Sequence, residues 1–127
     1  MIDLSKYNIE KPKTKDNSIA KSDGGITFVY HKNGKRIVFS KRVLTILGNP
    51  EMISFGFIEN HLIISPTVDE GFTLKEMSKQ KVIYNASLIS EIFDYYNINY
   101  ENDLCKTFSD IEIVDEDKNI IAINMTI

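Results

Sequence analysis

Three side chains of this sequence are of the types that carry nucleophilic catalysis: Cys105, His31 and His61. A cysteine attacks as its thiolate, so it needs a neighbouring base or positive charge, which either histidine would supply. Cys105 stands in a polar stretch, and this placement suits a partly exposed structural thiol better than a nucleophile. We therefore expect a protein that is not an enzyme and has no catalytic residues.

Metal and phosphate chemistry finds little support in the sequence. One cysteine and two distant histidines do not supply the four paired ligands of a zinc site. Asp115-Glu116-Asp117 would attract a cation weakly, but the segment lacks the alternating oxygen ligands and the glycine of a calcium loop. Gly24-Gly25 precedes a predicted strand, whereas a phosphate loop precedes a helix. We expect no metal ion and no cofactor.

Basic side chains are concentrated in the first part of the chain. Residues 24–50 contain no acidic residue, and residues 1–50 carry ten basic against four acidic side chains. Basic groups at this density neutralise the phosphates of a nucleic acid, with an affinity that falls as salt rises. The alternative is a solvated surface that protects a strand edge from aggregation. The candidate nucleic-acid-binding residues are Lys32, Lys35, Arg36, Lys41 and Arg42.

Acidic side chains are concentrated in the remainder, where residues 51–127 carry fourteen acidic against five basic side chains. Such a surface fits a basic surface on a partner protein, and tyrosines beside it are good interface anchors. The alternatives are a solubilising surface, or simple attraction between the two parts of one domain. The candidate partner-binding residues are Tyr95, Tyr96, Tyr100, Glu112, Asp115, Glu116 and Asp117, and Glu101, Asp103 and Asp110 belong to the same acidic run.

The size and composition of the chain set its class. A length of 127 residues, with 43% hydrophobic and 26% charged residues, fits one domain. A single cysteine excludes an internal disulfide and fits a reducing compartment. The first residues lack a signal-type apolar run, and no segment has 18 consecutive apolar residues, so we expect a cytoplasmic protein without a membrane partner. Residues 1–24 are polar and interrupted by Pro12, which predicts a flexible basic arm before a single domain over 25–127.

Local signals predict the elements that would position the candidate residues. Asn33-Gly34 between two apolar runs is typical of a type I′ hairpin turn. Ser40 is a candidate N-cap for a short helix, and Gly48 fits the left-handed end of that helix. The remaining predicted elements are a hairpin over 52–58 and 61–65, a polar connector over 67–80 with a helical turn at 74–77, a strand over 81–84, a helix over 86–96 capped by Asn85, and a hairpin over 111–114 and 119–123.

The order strand, cap, helix and hairpin occurs twice. Residues 36–40 align with 81–85, since each run has a basic residue, three apolar residues and a cap. Residues 60–64 align with 119–123, since each run begins with asparagine and continues as the return strand of a predicted hairpin. A repeated unit that cannot bury its own apolar face implies two units packed together, although short runs also match by chance. The predicted pseudo-repeat halves are 25–66 and 81–127, with an insertion in the second half within 97–109.

The pattern of residues 36–66 resembles the swapped-hairpin barrel family of AbrB-type regulators. The likeness lies in residues 36–44, in Ile46-Leu47-Gly48 and in residues 62–66. This resemblance implies a small β-barrel of two strand–helix–hairpin halves, here both in one chain, and it implies DNA binding. In such a barrel, the first hairpin turn and the strand–helix junction would meet on one rim and gather the basic residues.

We therefore expect a strand-rich α/β fold: a small β-barrel of two similar strand–helix–hairpin halves with a flexible N-terminal arm. The expected function is that of a non-enzymatic DNA-binding regulator of the AbrB type, such as mobile elements carry. The alternative is a protein-binding inhibitor or adaptor, for example a phage inhibitor of host defence, whose acidic half binds a basic protein surface. DNA is the expected partner in the first case, and a homodimer stays open.

Overall fold

The structure is a computed structural model that describes residues 24–100 and 104–126. Half of the described residues (50%) lie in strands and 16% lie in helices, so the strand-rich fold that we expected is confirmed. The predicted flexible arm lies outside the described residues, apart from Gly24. Neither described helix has the length and apolar character needed to cross a membrane.

Twelve elements make up the described chain, and we number them in chain order. They are β1 (Ile26–His31), β2 (Gly34–Phe39), α1 (Lys41–Ile46), β3 (Met52–Ile58), β4 (His61–Thr67), β5 (Phe72–Thr73), β6 (Lys75–Met77), β7 (Gln80–Ile83), α2 (Ala86–Tyr95), β8 (Leu104–Phe108), β9 (Ile111–Asp115) and β10 (Ile120–Asn124).

These strands form two five-stranded antiparallel sheets. The first sheet has the order β6-β7-β2-β1-β8, and the second has the order β5-β3-β4-β10-β9. The predicted closed barrel is therefore wrong, because each sheet ends in two edge strands and the two sheets share no strand pairing among the described residues. In each sheet two hairpins meet through a central strand pair: β1–β2 meets β6–β7 in the first sheet, and β3–β4 meets β9–β10 in the second. Each sheet adds one further edge strand, β8 or β5. The β6–β7 hairpin begins at Lys75, before the predicted second half at 81–127.

The central pair of the first sheet joins the two predicted halves. Ile37 of β2 lies opposite Ile83 of β7, and Val38 lies opposite Val82. A local two-fold axis midway between these two pairs exchanges Ile37 with Val82 and Val38 with Ile83. These are the same positions that the sequence alignment of the halves makes equivalent.

The central pair of the second sheet likewise joins the two predicted halves. Leu62 of β4 lies opposite Ile123 of β10, and Ile64 lies opposite Ile121. An axis midway between these pairs exchanges Leu62 with Ile121 and Ile64 with Ile123, which again are positions that the alignment makes equivalent. In both sheets, the central strand pair therefore relates positions that the alignment makes equivalent.

The predicted helix ends are confirmed. The Ser40 hydroxyl accepts a hydrogen bond from the Val43 N–H at 3.4 Å, and the Asn85 side chain accepts one from the Leu88 N–H at 3.0 Å. Each side chain thereby satisfies a backbone donor that has no partner inside its helix. Gly48 follows α1 with a φ of 81°, the left-handed conformation that glycine adopts without strain.

Two local predictions are wrong. The first hairpin forms, but His31 lies opposite Gly34, so its two-residue turn is Lys32-Asn33. Neither Asn33 nor Gly34 has the positive φ of a type I′ turn. The helical turn expected at 74–77 is replaced by β6, because Lys75–Met77 pairs with β7.

The core lies between the two sheets and is closed by the helices. Its largest fully buried side chains are those of Phe28, Phe39 and Phe93. The rings of Phe28 and Phe93 lie 5.2 Å apart, so α2 packs against the inner face of the first sheet. The insertion that sequence analysis placed within 97–109 contains β8, which pairs with β1 and adds the Phe108 ring 5.6 Å from Phe28.

A matched pair of glycine substitutions tests the contact between β1 and β8. A Cβ on Gly25 would lie 2.1 Å from the carbonyl oxygen of Phe108, whereas a Cβ on Gly56 would meet only the Ile63 Cβ at an ordinary 3.5 Å. We expect Gly25→Ala to lower the free energy of unfolding by about 2 kcal/mol or more, because backbone must move. Gly56→Ala should change it by less than about 1 kcal/mol. Urea denaturation measures both, and equal effects would contradict the close approach.

Candidate functional site

Two neighbouring cavities form a groove between α1 and the turn that joins β6 to β7. Their volumes are about 360 and 620 Å³, and residues of both elements line each cavity. We name this surface the basic groove. Its cationic residues are Lys41, Arg42, Lys79 and Lys81.

Antiparallel pairing of β2 with β7 brings the two walls of the basic groove together. Phe39, the last residue of β2, lies opposite Lys81 near the start of β7. Because α1 begins two residues after Phe39, its first residue Lys41 lies beside the β6–β7 turn. Ser78 makes that turn with a φ of 59°, and Lys79 follows it. The groove is therefore a product of long-range strand pairing between the two halves.

Arg42 holds one wall of the groove in place. Its Nη1 donates to the carbonyl oxygens of Gly24 at 3.2 Å and Ser109 at 3.3 Å. These two acceptors lie two residues before β1 and in the link between β8 and β9. Arg42 thus ties α1 to the far edge of the first sheet, and its charge also lines the larger cavity.

The other three cations differ in their exposure and contacts. Lys81 is half-buried, and its Nζ donates to the Pro50 carbonyl at 3.3 Å, which ties β7 to the segment after α1. Lys41 and Lys79 are exposed and face each other across the groove from α1 and the β6–β7 turn. Glu76 lines the smaller cavity only, so the larger cavity has cationic and no carboxylate side chains.

This arrangement can bind phosphate groups. Lysine ammonium groups are compact, strongly hydrated charges that neutralise phosphates, and arginine adds directional donors. Ser40, Thr45 and Ser78 also line the larger cavity. The Thr45 hydroxyl already donates to the Lys41 carbonyl at 2.9 Å, so the hydroxyl hydrogens of Ser40 and Ser78 are the further donors beside the cations. The groove is open, as an extended polyanion requires.

Lys32, Lys35 and Arg36 lie at the opposite end of β2 from the groove. The six residues of β2 separate the first hairpin turn from α1 by roughly 17 Å. The shared rim that the resemblance implied is therefore not formed, because the turn and the strand–helix junction lie at opposite ends of one strand. Lys35 Nζ lies 5.0 Å above the ring of Tyr30, and Arg36 is half-buried opposite Val29.

Lys79 and Lys81 complete the groove, and sequence analysis did not single them out. They stand in and next to a stretch that was interpreted as a polar connector. The alignment of residues 36–40 with 81–85 contained the signal, because two antiparallel copies place the start of one strand beside the end of the other. The structure therefore adds Lys79 from the predicted connector and Lys81 from the predicted second half to Lys41 and Arg42 from the first half.

The three candidate tyrosines occupy two different places. Tyr95 and Tyr96 are 4.8 Å apart and pack with Phe57 near the β3–β4 turn, where the Tyr96 hydroxyl donates to the His61 carbonyl. Burial raises the pKa of Tyr96 to about 12. Tyr100 packs instead on Tyr30 of the first sheet, with ring centroids 5.0 Å apart.

The acidic turn between β9 and β10 lies away from the tyrosines. Asn119 of this turn packs beside Gly48 and Pro66, whereas Asn124 at the other end of β10 pairs with His61. The separation along the strands is on the order of 20 Å. Glu112, Glu116 and Asp117 are exposed, and the half-buried Asp115 accepts from the Lys118 N–H at 3.1 Å. Glu101 and Asp103 lie outside the described residues.

Cys105 and the two histidines do not line the basic groove. Cys105 is exposed on β8 opposite Val29, and His31 is two residues further along β1, while His61 belongs to the second sheet. Within the described ranges, no group of three or more histidine, cysteine or acidic side chains is arranged to hold a metal ion.

The comparisons with known proteins give no relative. No protein-family model, no curated protein and no solved structure matches this chain.

The two backbone carbonyls that accept hydrogen bonds from Arg42 lead to a prediction: Arg42 contributes to stability and Lys41 does not. Arg42→Gln removes hydrogen bonds to two backbone carbonyls, and we expect it to lower the free energy of unfolding by about 1–2 kcal/mol. Lys41→Gln should change it by less than about 0.5 kcal/mol, because Lys41 is exposed. Urea denaturation measures both values. A neutral Arg42→Gln variant would show that the two hydrogen bonds do not tie α1 to the first sheet.

The raised pKa of Tyr96 generates a prediction about alkaline stability. An unfolded tyrosine has a pKa near 10.0, so between pH 10 and 12 the folded state keeps a proton that the unfolded state has released. The free energy of unfolding should therefore fall as the pH rises through this range. Tyr96→Phe should show a smaller fall between pH 10 and 12 in urea denaturation. An unchanged fall would mean that Tyr96 is not protected from titration in the folded protein.

Proposed function

We propose that this chain is a non-enzymatic DNA-binding protein that holds backbone phosphates in the basic groove. The observation that carries the proposal is the meeting of Lys41 and Arg42 from α1 with Lys79 from the β6–β7 turn, around a cavity of about 620 Å³ that has no carboxylate in its wall. Lys81 lines the smaller cavity next to it. Lys41 and Lys79 are the phosphate-contacting residues in this proposal, and Arg42 and Lys81 hold the walls.

The charge of the whole chain makes the position of this groove important. The net charge is −3, so DNA is repelled by most of the surface and attracted only where cations are concentrated. In this proposal the duplex therefore approaches the face of the protein that carries the basic groove. We infer a regulatory role in the cytoplasm from the resemblance of residues 36–66 to AbrB-type regulators.

We also propose that the two halves descend from one duplicated unit of the swapped-hairpin kind. The support is that the central strand pairs of both sheets exchange the positions that the sequence alignment makes equivalent. In this proposal β8 and β5 are later additions, because they lie at sheet edges outside the paired hairpins.

A charge-reversal experiment tests the DNA-binding proposal. A fluorescein-labelled duplex of about 20 base pairs is titrated at 50 and 150 mM salt, the range over which phosphate contacts change affinity most visibly. We expect Lys41→Glu combined with Lys79→Glu to lower the slope of log affinity against log salt by about two units, one for each lost phosphate contact. Affinity at the lower salt concentration should fall about tenfold or more, while the urea midpoint stays unchanged.

Lys118→Glu provides the matched control, since Lys118 is equally exposed but lies in the acidic turn. It changes the net charge of the protein by the same amount per site and leaves the basic groove intact. Lys32→Glu combined with Lys35→Glu then measures how much the hairpin turn at the other end of β2 contributes to DNA affinity. The proposal fails if the unmodified protein does not bind the duplex at 50 mM salt, or if Lys118→Glu weakens binding as much as Lys41→Glu.

A further inference from the structure

The second sheet stops at β9 with apolar side chains uncovered. Ile113 is 58% exposed and Val114 is 57% exposed, and Val114 is the extra residue at the point where the register of β9 against β10 shifts. Among the described strands β9 pairs only with β10, so the other side of its backbone is an edge that no described strand covers. A free edge with large apolar side chains is a template for another strand.

Ile113 lies on the core side of the sheet. It is opposite Ile121, which is fully buried, and Ile111 next to it on the same face packs against the core. Ile113 is exposed because no described strand lies beyond it. One additional strand beside β9 would continue the core over Ile113.

The other three sheet edges among the described strands differ from β9. β5, β6 and β8 carry no large apolar side chain of comparable exposure. β6 is the segment Lys75-Glu76-Met77, whose charged side chains discourage pairing with another chain. The apolar character of β9 is therefore particular to this strand and is not a general property of the sheet edges.

We propose that β9 is a docking edge for an extended segment of a partner protein in which basic and apolar residues alternate. The segment adds a sixth strand to the second sheet through main-chain hydrogen bonds. On the core face its apolar residues cover Ile113. On the other face its lysine or arginine side chains pair with Glu112, and those near the end of β9 reach Glu116.

The charge around β9 selects this occupant over a second copy of the chain. Glu112, Asp115, Glu116 and Asp117 all lie on or next to the edge strand. Two β9 edges side by side would bring both sets of carboxylates together, and like charges on paired strands are destabilising. A basic segment pairs with the same carboxylates favourably. The proposal uses neither Lys41 nor Lys79, so it is independent of the DNA-binding proposal.

The test uses a synthetic, capped heptapeptide in which lysine and valine alternate, starting and ending with lysine. Its control has the same composition with the three valines together, so that its two faces are no longer distinct. Titration of the ¹⁵N-labelled protein should shift and slow the exchange of amides in residues 111–115 at submillimolar alternating peptide. The control peptide should bind about tenfold more weakly. Absence of binding at millimolar peptide, or protection at β6 or β8 instead, would overturn the proposal.

Charge reversal on β9 gives the second arm of the test. Glu112→Lys should reverse the preference, so that an alternating glutamate–valine peptide binds and the lysine–valine peptide binds about tenfold more weakly than to the unmodified protein. Glu91→Lys changes the net charge equally on the exposed side of α2 and should leave the preference unchanged. If both variants behave alike, binding follows net charge and the docking edge is refuted.

Discussion

The pairing of β2 with β7 is the interaction on which the rest of the molecule depends. It joins the two predicted halves in the first sheet, and Ile37 and Ile83 of this pair both enter the core. The same pairing sets α1 beside the β6–β7 turn, so the cations of the basic groove meet only when it forms. Fold and candidate site therefore have a common origin in one register between strands that are distant in the sequence.

The two helices and their N-caps were predictable from the sequence. The caps Ser40 and Asn85 work within three residues of the chain, and the apolar stripe of α2 repeats with helical spacing, so each signal is complete in a short window. The two open sheets were not predictable in this way. β5, β6 and β8 are short or polar, and they become strands because a partner strand is present rather than because of their own composition.

Only two of the four cations of the basic groove were predictable from the sequence. Lys41 and Arg42 stand out because they share an acid-free segment, but their grouping with Lys32 and Lys35 followed sequence proximity. A strand separates the two groups in space, while Lys79 comes close through pairing across the sheet. Charge counted along the sequence identifies which residue types are available, and the register of the sheet decides which of them act together.

The pairing of β1 with β8 has a consequence for the folding of the chain during its synthesis. The hydroxyl groups of Thr27 and Thr107 meet at 2.7 Å although they stand 80 positions apart in the chain. At a synthesis rate of about 5–20 residues per second, β1 waits roughly 4–16 s before β8 is even complete. During that interval one side of β1 is an open strand edge on a nascent chain. The ribosome-bound protein thus passes through a stage in which its first sheet is exposed to wrong pairing, and its last strands end that stage.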